Sequence, residues 1–196
     1  MKHLLPALLT LLCLAAPLLS QQFTRQPDGA PSPAYWQQQV DYSLKASLDA
    51  KKKMLYGSGT ITYTNNSPDT LTTLVWHLYQ NVFRKDATPR KSGDQNSRAL
   101  VVTDGITVRT VTVNGALVTT LVDETVMETP LPFPLLPKST ATVTVAWEYE
   151  IPADPDLRTG NDGNDFGMCQ WYPQIAVYDD VRGWDRTQYL GISEFY

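Results

Sequence analysis

The chain has 196 residues, of which 42 % are hydrophobic and 18 % charged, and its formal net charge is −4. Its only basic run is Lys51-Lys52-Lys53, so it lacks the electrostatic footprint of a nucleic-acid binder and that partner class is excluded. Its two cysteines are Cys13, inside an apolar N-terminal run, and Cys169, so no internal disulfide is expected and stability has to come from a core.

Lys2 and His3 precede an apolar run from Leu4 to Leu19, which ends at the small residue Ser20 before Gln21-Gln22. Residues 1–20 read as a secretory signal peptide, too short and too weakly flanked for a membrane span, and predict a secreted or periplasmic product. Residues 21–34 form an exposed polar leader, in which Ser32-Pro33 are placed to cap a short helical turn through Gln39.

From Val40 the hydrophobic period is two. Val40, Tyr42, Leu44, Ala46 and Leu48 alternate with Asp41, Ser43, Lys45, Ser47 and Asp49, which predicts a strand with one buried face. The lysine run after it reads as a solvated turn. Gly57, Gly59, Ile61 and Tyr63 alternate with threonines and end in the turn cluster Asn65-Asn66-Ser67-Pro68-Asp69. Leu71 to Tyr79 is apolar on both faces and is expected to be a central strand, followed by a long surface loop over Phe83 to Arg98.

Gly105 to Val113 and Ala116 to Val122 flank Asn114-Gly115, the strongest short-range hairpin signal because both residues tolerate positive φ. The apolar set changes phase between Val108 and Val111, which predicts a bulge near Arg109 to Thr110. Pro130, Pro132, Pro134 and Pro137 mark an extended connector, and Val143, Val145, Trp147, Tyr149 and Ile151 form a second clean amphipathic strand. The chain reaches Tyr196 inside a run from Gln188 that reads as a strand, so it is expected to be one module of a longer protein. Six or more strands without a long helical period predict an all-β fold: a β-sandwich of bent antiparallel sheets with little helix.

Chemistry-bearing residues are few. Once the signal is removed His77 is the only histidine, and it sits mid-strand; no His-Glu-x-x-His motif is present, so no metal is expected to be bound by this chain. A Ser-His-Asp or Cys-His device would also need His77, and nothing places Cys169 beside it. Asp154, Asp156, Asn161, Asp162, Asn164 and Asp165 with Gly160 and Gly163 resemble an oxygen-ligand loop, but the spacing is not that of an EF-hand and no Glu closes it; a flexible polar loop is predicted.

The densest window is Gly167 to Pro173, continuing to Asp185. Gln170 lies between Cys169 and Trp171-Tyr172-Pro173, and its amide carbonyl can accept hydrogen bonds from a cationic amine, as recognition of a peptide's amino terminus requires. The plainer alternative is a Gln bonded to neighbouring backbone. Trp171, Tyr172, Tyr178 and Trp184 are either a stacking platform for sugars or peptide side chains or, in a chain with five Trp and ten Tyr, core packing.

Four segments in order, Tyr35-Trp36 into Val40 to Leu44, Leu55 to Asn66, Leu74 to Asn81 and Cys169 to Asp180, together resemble the amino-terminal domain of secreted bacterial zinc aminopeptidases of the aminopeptidase N (gluzincin) type, over nearly all of Tyr35 to Tyr196. The resemblance implies a saddle-like β-domain packed on a thermolysin-like catalytic domain of the same polypeptide, with zinc in the complete enzyme and peptides as substrates. It implies that Gln170 reaches into the active site to hold the substrate's amino group, with Met168, Cys169 and Trp171 shaping the pocket beside it. The family's segment after this anchor ends in an aspartate followed closely by proline, whereas Asp179-Asp180-Val181 has none, so Asp179 is assigned a structural role only. On this reading the chain has no catalytic residues and is inactive alone. The competing readings are an exported carbohydrate- or peptide-binding module and a structural sandwich from a surface assembly.

Overall fold

Period-two patterning is realised as antiparallel pairing in the computed structural model, which describes residues 23–88, 101–153 and 158–191. Strands β1 (Gln39–Asp49), β2 (Met54–Thr64), β3 (Leu71–His77), β4 (Ile106–Val113), β5 (Ala116–Leu117), β6 (Leu121–Asp123), β7 (Val126–Leu135) and β8 (Thr140–Glu150) build two sheets, ordered β1-β2-β8-β4-β5 and β11-β3-β7-β6. The strand β11 (Gln174–Ile175) closes the second sheet, and β9 (Thr159–Asp162) with β10 (Asp165–Met168) and β12 (Tyr178–Asp179) with β13 (Gly183–Trp184) are separate hairpins. The fold is all-β as expected, with several antiparallel sheets that do not close into a barrel.

One core joins the inner faces of both sheets. From the first come Ile61, Tyr63, Val143 and Trp147, and from the second Leu74, Trp76 and Met127, each 3 % exposed or less. Strand β8 alternates as its sequence requires, with Ala141, Val143, Val145, Trp147 and Tyr149 buried. Gly57 of β2 lies opposite Trp147, where an added Cβ would sit 2.2 Å from the indole, so close approach of ring to backbone requires glycine. Strand β1 is less buried than its pattern suggests: Val40, Tyr42 and Leu44 are half-buried while Ala46 and Leu48 are exposed. As the edge strand it has a neighbour on one side only.

Local turn chemistry holds where it was legible. Asp49 Oδ1 accepts from the Lys51 and Lys52 amides at 3.1 and 3.0 Å, and Lys53 turns at φ 57°, so the lysine run is a turn. Asn114 (φ 49°) and Gly115 (φ 83°) turn β4 into β5, and the β4–β8 register shifts between Val108 and Thr110, which leaves Arg109 as the extra residue.

Elsewhere the fold departs from the pattern. The expected strand over Ala116 to Val122 divides between the sheets, β5 ending the first and β6 edging the second. The proline-rich connector is strand β7: Thr73 pairs with Pro130 but Leu71 with Leu135, so the chain over-runs its partner, and β6 covers only Val126 to Glu128. Pro132 and Pro134 fall in the stretch between those two pairs, where no ladder pairing is made. The β3 strand is internal, as expected, but stops at His77, and a buried 3-10 turn over Tyr79–Phe83 replaces its end and the start of the predicted surface loop. The rest of that loop, residues 89–98, lies outside the described residues.

The segment expected to be a flexible polar loop is in part the β9–β10 hairpin, in which Asn161 is buried and donates to the Pro152 carbonyl at 2.8 Å; Asp154 and Asp156 lie outside the described residues. Gln188 to Leu190 is not a strand. Its side chain caps a neighbouring turn, Gln188 Oε1 accepting from Thr125 N (2.8 Å) and Oγ1 (2.7 Å), and residues 192–196 lie outside the described residues.

The chain clusters into two compact units, Met1–Tyr35 and Trp36–Tyr196. In the first, residues 1–22 fall outside the described residues and with them the predicted signal peptide. The helical turn predicted from Ser32 reduces to a single turn, Tyr35 N donating to Ser32 O at 3.0 Å and Ala34 N to Ser32 Oγ at 3.0 Å. No helix of the described residues is long and apolar enough to cross a membrane.

Candidate functional site

The β9–β10 hairpin delivers the chain to the window that its sequence singled out. Gly167 pairs with Gly160 and Met168 with Thr159, and the Cys169 amide still reaches the Arg158 carbonyl at 3.3 Å. There the strand ends, because Gln170 turns through φ 46°, in the left-handed region that a non-glycine residue enters only when its surroundings hold it. Beyond the turn the chain is tied down again. The Trp171 carbonyl accepts from Trp147 Nε1 at 2.9 Å, and Ile175 N donates to the Tyr42 hydroxyl at 2.9 Å as β11 joins β3.

These anchors sort the predicted site residues. Met168 and Trp171 are half-buried and packed against the core, whereas the Cys169 thiol is free and exposed. Gln170 is half-buried, and its side-chain amide makes no hydrogen bond to any described residue; only its backbone carbonyl does, to Gln80. The alternative of a Gln bonded to nearby backbone is therefore not the one realised. Asp179 Oδ1 accepts from the Val181 and Arg182 amides at 2.9 and 2.6 Å, a turn-forming role in line with its structural assignment.

The four aromatics do not form one platform. Trp171 and Tyr172 meet each other at 5.1 Å and lean on Trp147 and Tyr42, at 5.8 and 5.3 Å. Tyr178 and Trp184 belong to a second group, Tyr178 stacking on Trp36 at 5.7 Å and donating its hydroxyl to Asp69 at 2.8 Å, Trp184 lying on Tyr63. All four pack against or within the core, and burial pushes the hydroxyl pKa of Tyr42 and of Tyr178 up to about 12. A groove of about 460 Å³ does exist, but on the outer face of the five-stranded sheet, lined by hydroxyls of Ser43, Ser58, Thr60, Thr110 and Thr144 beside Lys45, away from this window.

His77 is buried at the end of β3, its Nε2 3.7 Å from Asp185 Oδ2 and its Nδ1 without a hydrogen-bond partner among the described residues. Burial lowers its pKa from 6.5, with the Asp185 carboxylate opposing in part; Tyr79, its ring tilted 5.4 Å away, is pushed up to about 12, chiefly by burial. The folded chain therefore binds this proton more weakly than the unfolded chain. Stability from the neutral imidazole is full above 6.5 and is lost as pH falls from there through the lowered folded value. Denaturant midpoints measured across that window should fall with acidification, and His77→Gln should flatten the fall; an unchanged slope would remove His77 as its source.

No three His, Cys, Asp or Glu among the described residues are grouped to hold a metal.

No protein-family model and no curated protein matches the chain. Its structural neighbours are M1 zinc metallopeptidases. A mutant M1 zinc metallopeptidase from Deinococcus radiodurans is similar at 18 % identity and TM-score 0.45, over 71 % of this chain and 28 % of the other. The same values hold for a mutant form from that organism bound to a Tyr-Ser-Ala substrate. A two-domain M1 zinc metallopeptidase mutant bound to L-tryptophan is similar at 19 % identity and TM-score 0.45, over 71 % and 28 %. The chain thus spans 28 % of the length of these metallopeptidases.

What sequence reasoning missed is the support beneath the window. Gln80 and Thr159 are buried, and both donate to the Cys169 carbonyl. The available signal was Gln80-Asn81, a polar pair set between the apolar Leu78-Tyr79 and Val82-Phe83.

Proposed function

We propose that this chain is the non-catalytic amino-terminal β-domain of a secreted zinc aminopeptidase and that Gln170 holds the free amino terminus of the peptide substrate. The observation that carries the reading is the presentation of Gln170: at a left-handed turn, half-buried, with its amide uncommitted to any described residue. A terminal ammonium has donors and no acceptor, so Gln170 Oε1 is a fitting partner, and a neutral amide holds it without titrating or exerting a carboxylate's long-range pull. The four segments that carry the family resemblance occupy β1, β2, β3 with its following turn, and this window, and among them are Tyr42 and Gln80, which bond to the window. Met168, Cys169 and Trp171 flank the turn and border the space for the first side chain.

Zinc, held by a catalytic domain elsewhere in the polypeptide, would supply the activated water. The test is kinetic, on the polypeptide encoded by the complete reading frame. Gln170→Ala should weaken transition-state binding, read from kcat/KM, by about 1–3 kcal/mol, the cost of leaving a charged group short of a partner. Unchanged kinetics would remove Gln170 from the site. A complete frame without a His-Glu-x-x-His helix, or aminoacyl anilide hydrolysis by this chain alone that contaminants do not explain, would overturn the reading as a whole.

A further inference from the structure

We propose that Gln80 is the positioning residue that aims Gln170, an inference that rests on the role given to Gln170 above. Gln80 lies in the 3-10 turn after β3 and is 2 % exposed. Its Nε2 stands 2.9 Å from the Cys169 carbonyl, 3.3 Å from the Gln170 carbonyl and 3.5 Å from Thr159 Oγ1. Thr159 Oγ1 donates in turn to the Cys169 carbonyl at 3.1 Å. Successive carbonyls of an extended strand point opposite ways. Here two of them converge on one amide nitrogen, which the left-handed φ of Gln170 makes geometrically possible and which in turn holds that φ.

The far end of the same side chain argues against a role in stability alone. Gln80 Oε1 is buried with no hydrogen-bond partner among the described residues. An orphaned acceptor is a cost that leucine would remove, at the expense of the donor to the Cys169 and Gln170 carbonyls. What leucine could not supply is the pair of N–H donors on which the turn closes. Gln80 therefore keeps one buried acceptor unpaired while its amide nitrogen closes the turn at Gln170, whose own side chain bonds to no described residue.

Gln80→Leu separates the two roles, and amide hydrogen exchange on the full chain reads them. Exchange at Cys169 should quicken by about tenfold or more while the amides of β8 keep their protection, because local opening costs less than global unfolding. Thr159→Val, which removes only the second donor, should shift Cys169 in the same direction by less, and it carries the test if Gln80→Leu does not fold. Unchanged exchange at Cys169, or an equal loss throughout β8, would overturn the proposal.

In the polypeptide of the complete reading frame, Gln80→Leu should lower kcat/KM by about 10- to 100-fold, as a displaced binding group does. Combined with Gln170→Ala it should cost no more than Gln170→Ala alone. Additive losses would refute action through Gln170. Should Gln170→Ala prove harmless by itself, the reading of Gln170 falls, and the exchange data still decide whether Gln80 holds the turn.

Discussion

Trp147→Ala should lower the free energy of unfolding by about 3–5 kcal/mol, the range for truncating a fully buried indole. Trp147 is 2 % exposed, its ring covers Gly57 on the neighbouring strand, and its Nε1 donates to the Trp171 carbonyl at 2.9 Å. Because Gly57 has no side chain, nothing from β2 can swing in to fill the space. The carbonyl of Trp171 also loses its donor, so the site segment loosens along with the core. Trp147→Phe keeps most of the packed area and should cost less than half as much. Urea unfolding with a constant m-value measures both, and a Trp147→Ala loss below about 1 kcal/mol would show that the site closes over the gap.

Asn65→Ala should be nearly as damaging, about 2–5 kcal/mol, although it removes few atoms. Asn65 is fully buried, and its Nδ2 donates to the Asp69 carbonyl at 2.7 Å and to the Leu135 carbonyl at 3.1 Å. Its Oδ1 accepts from the Ser67 amide at 3.1 Å, from Ser67 Oγ at 2.6 Å and from Gln38 Nε2 at 3.2 Å. One amide thus joins the end of β2, the turn after it and the end of β7. Alanine leaves three backbone groups, Ser67 N, Asp69 O and Leu135 O, short of a partner in two segments, and each such group that is buried costs about 1–3 kcal/mol. The adjacent Asn66→Ala, whose Nδ2 bonds to the exposed Gln37 carbonyl, should cost at most about 1 kcal/mol. Equal midpoints for the two variants in a thermal or urea titration would refute the hub role of Asn65.

Strands β1, β2 and β8, the Asn114-Gly115 turn and the bulge at Arg109 were legible because each depends on neighbours in sequence: alternation for a strand, positive φ for a turn, a phase slip for a bulge. Strand β7 was not, since Pro132 and Pro134 are tolerated where β6 and β3 leave the ladder open, a property of the partners. The β9–β10 hairpin was hidden in the same way, Thr159 and Asn161 turning inward to carbonyls that folding brings to them while Asp162, Asn164 and Asp165 stay exposed.

The site divides along the same line. Residue type and family resemblance single out Gln170 and its neighbours, because an amide among aromatics is a chemical signal carried by the sequence itself. The left-handed turn, the unbonded amide and the choice of packing over a platform for Trp171, Tyr172, Tyr178 and Trp184 are tertiary facts. By itself the sequence determined the all-β class, the principal strands and the residue to watch, since periodicity and side-chain chemistry are local. Only the tertiary structure decided what holds that residue, because Gln80 and Thr159 reach Cys169 across 89 and 10 positions of chain, and no local pattern records a hydrogen bond closed by the fold.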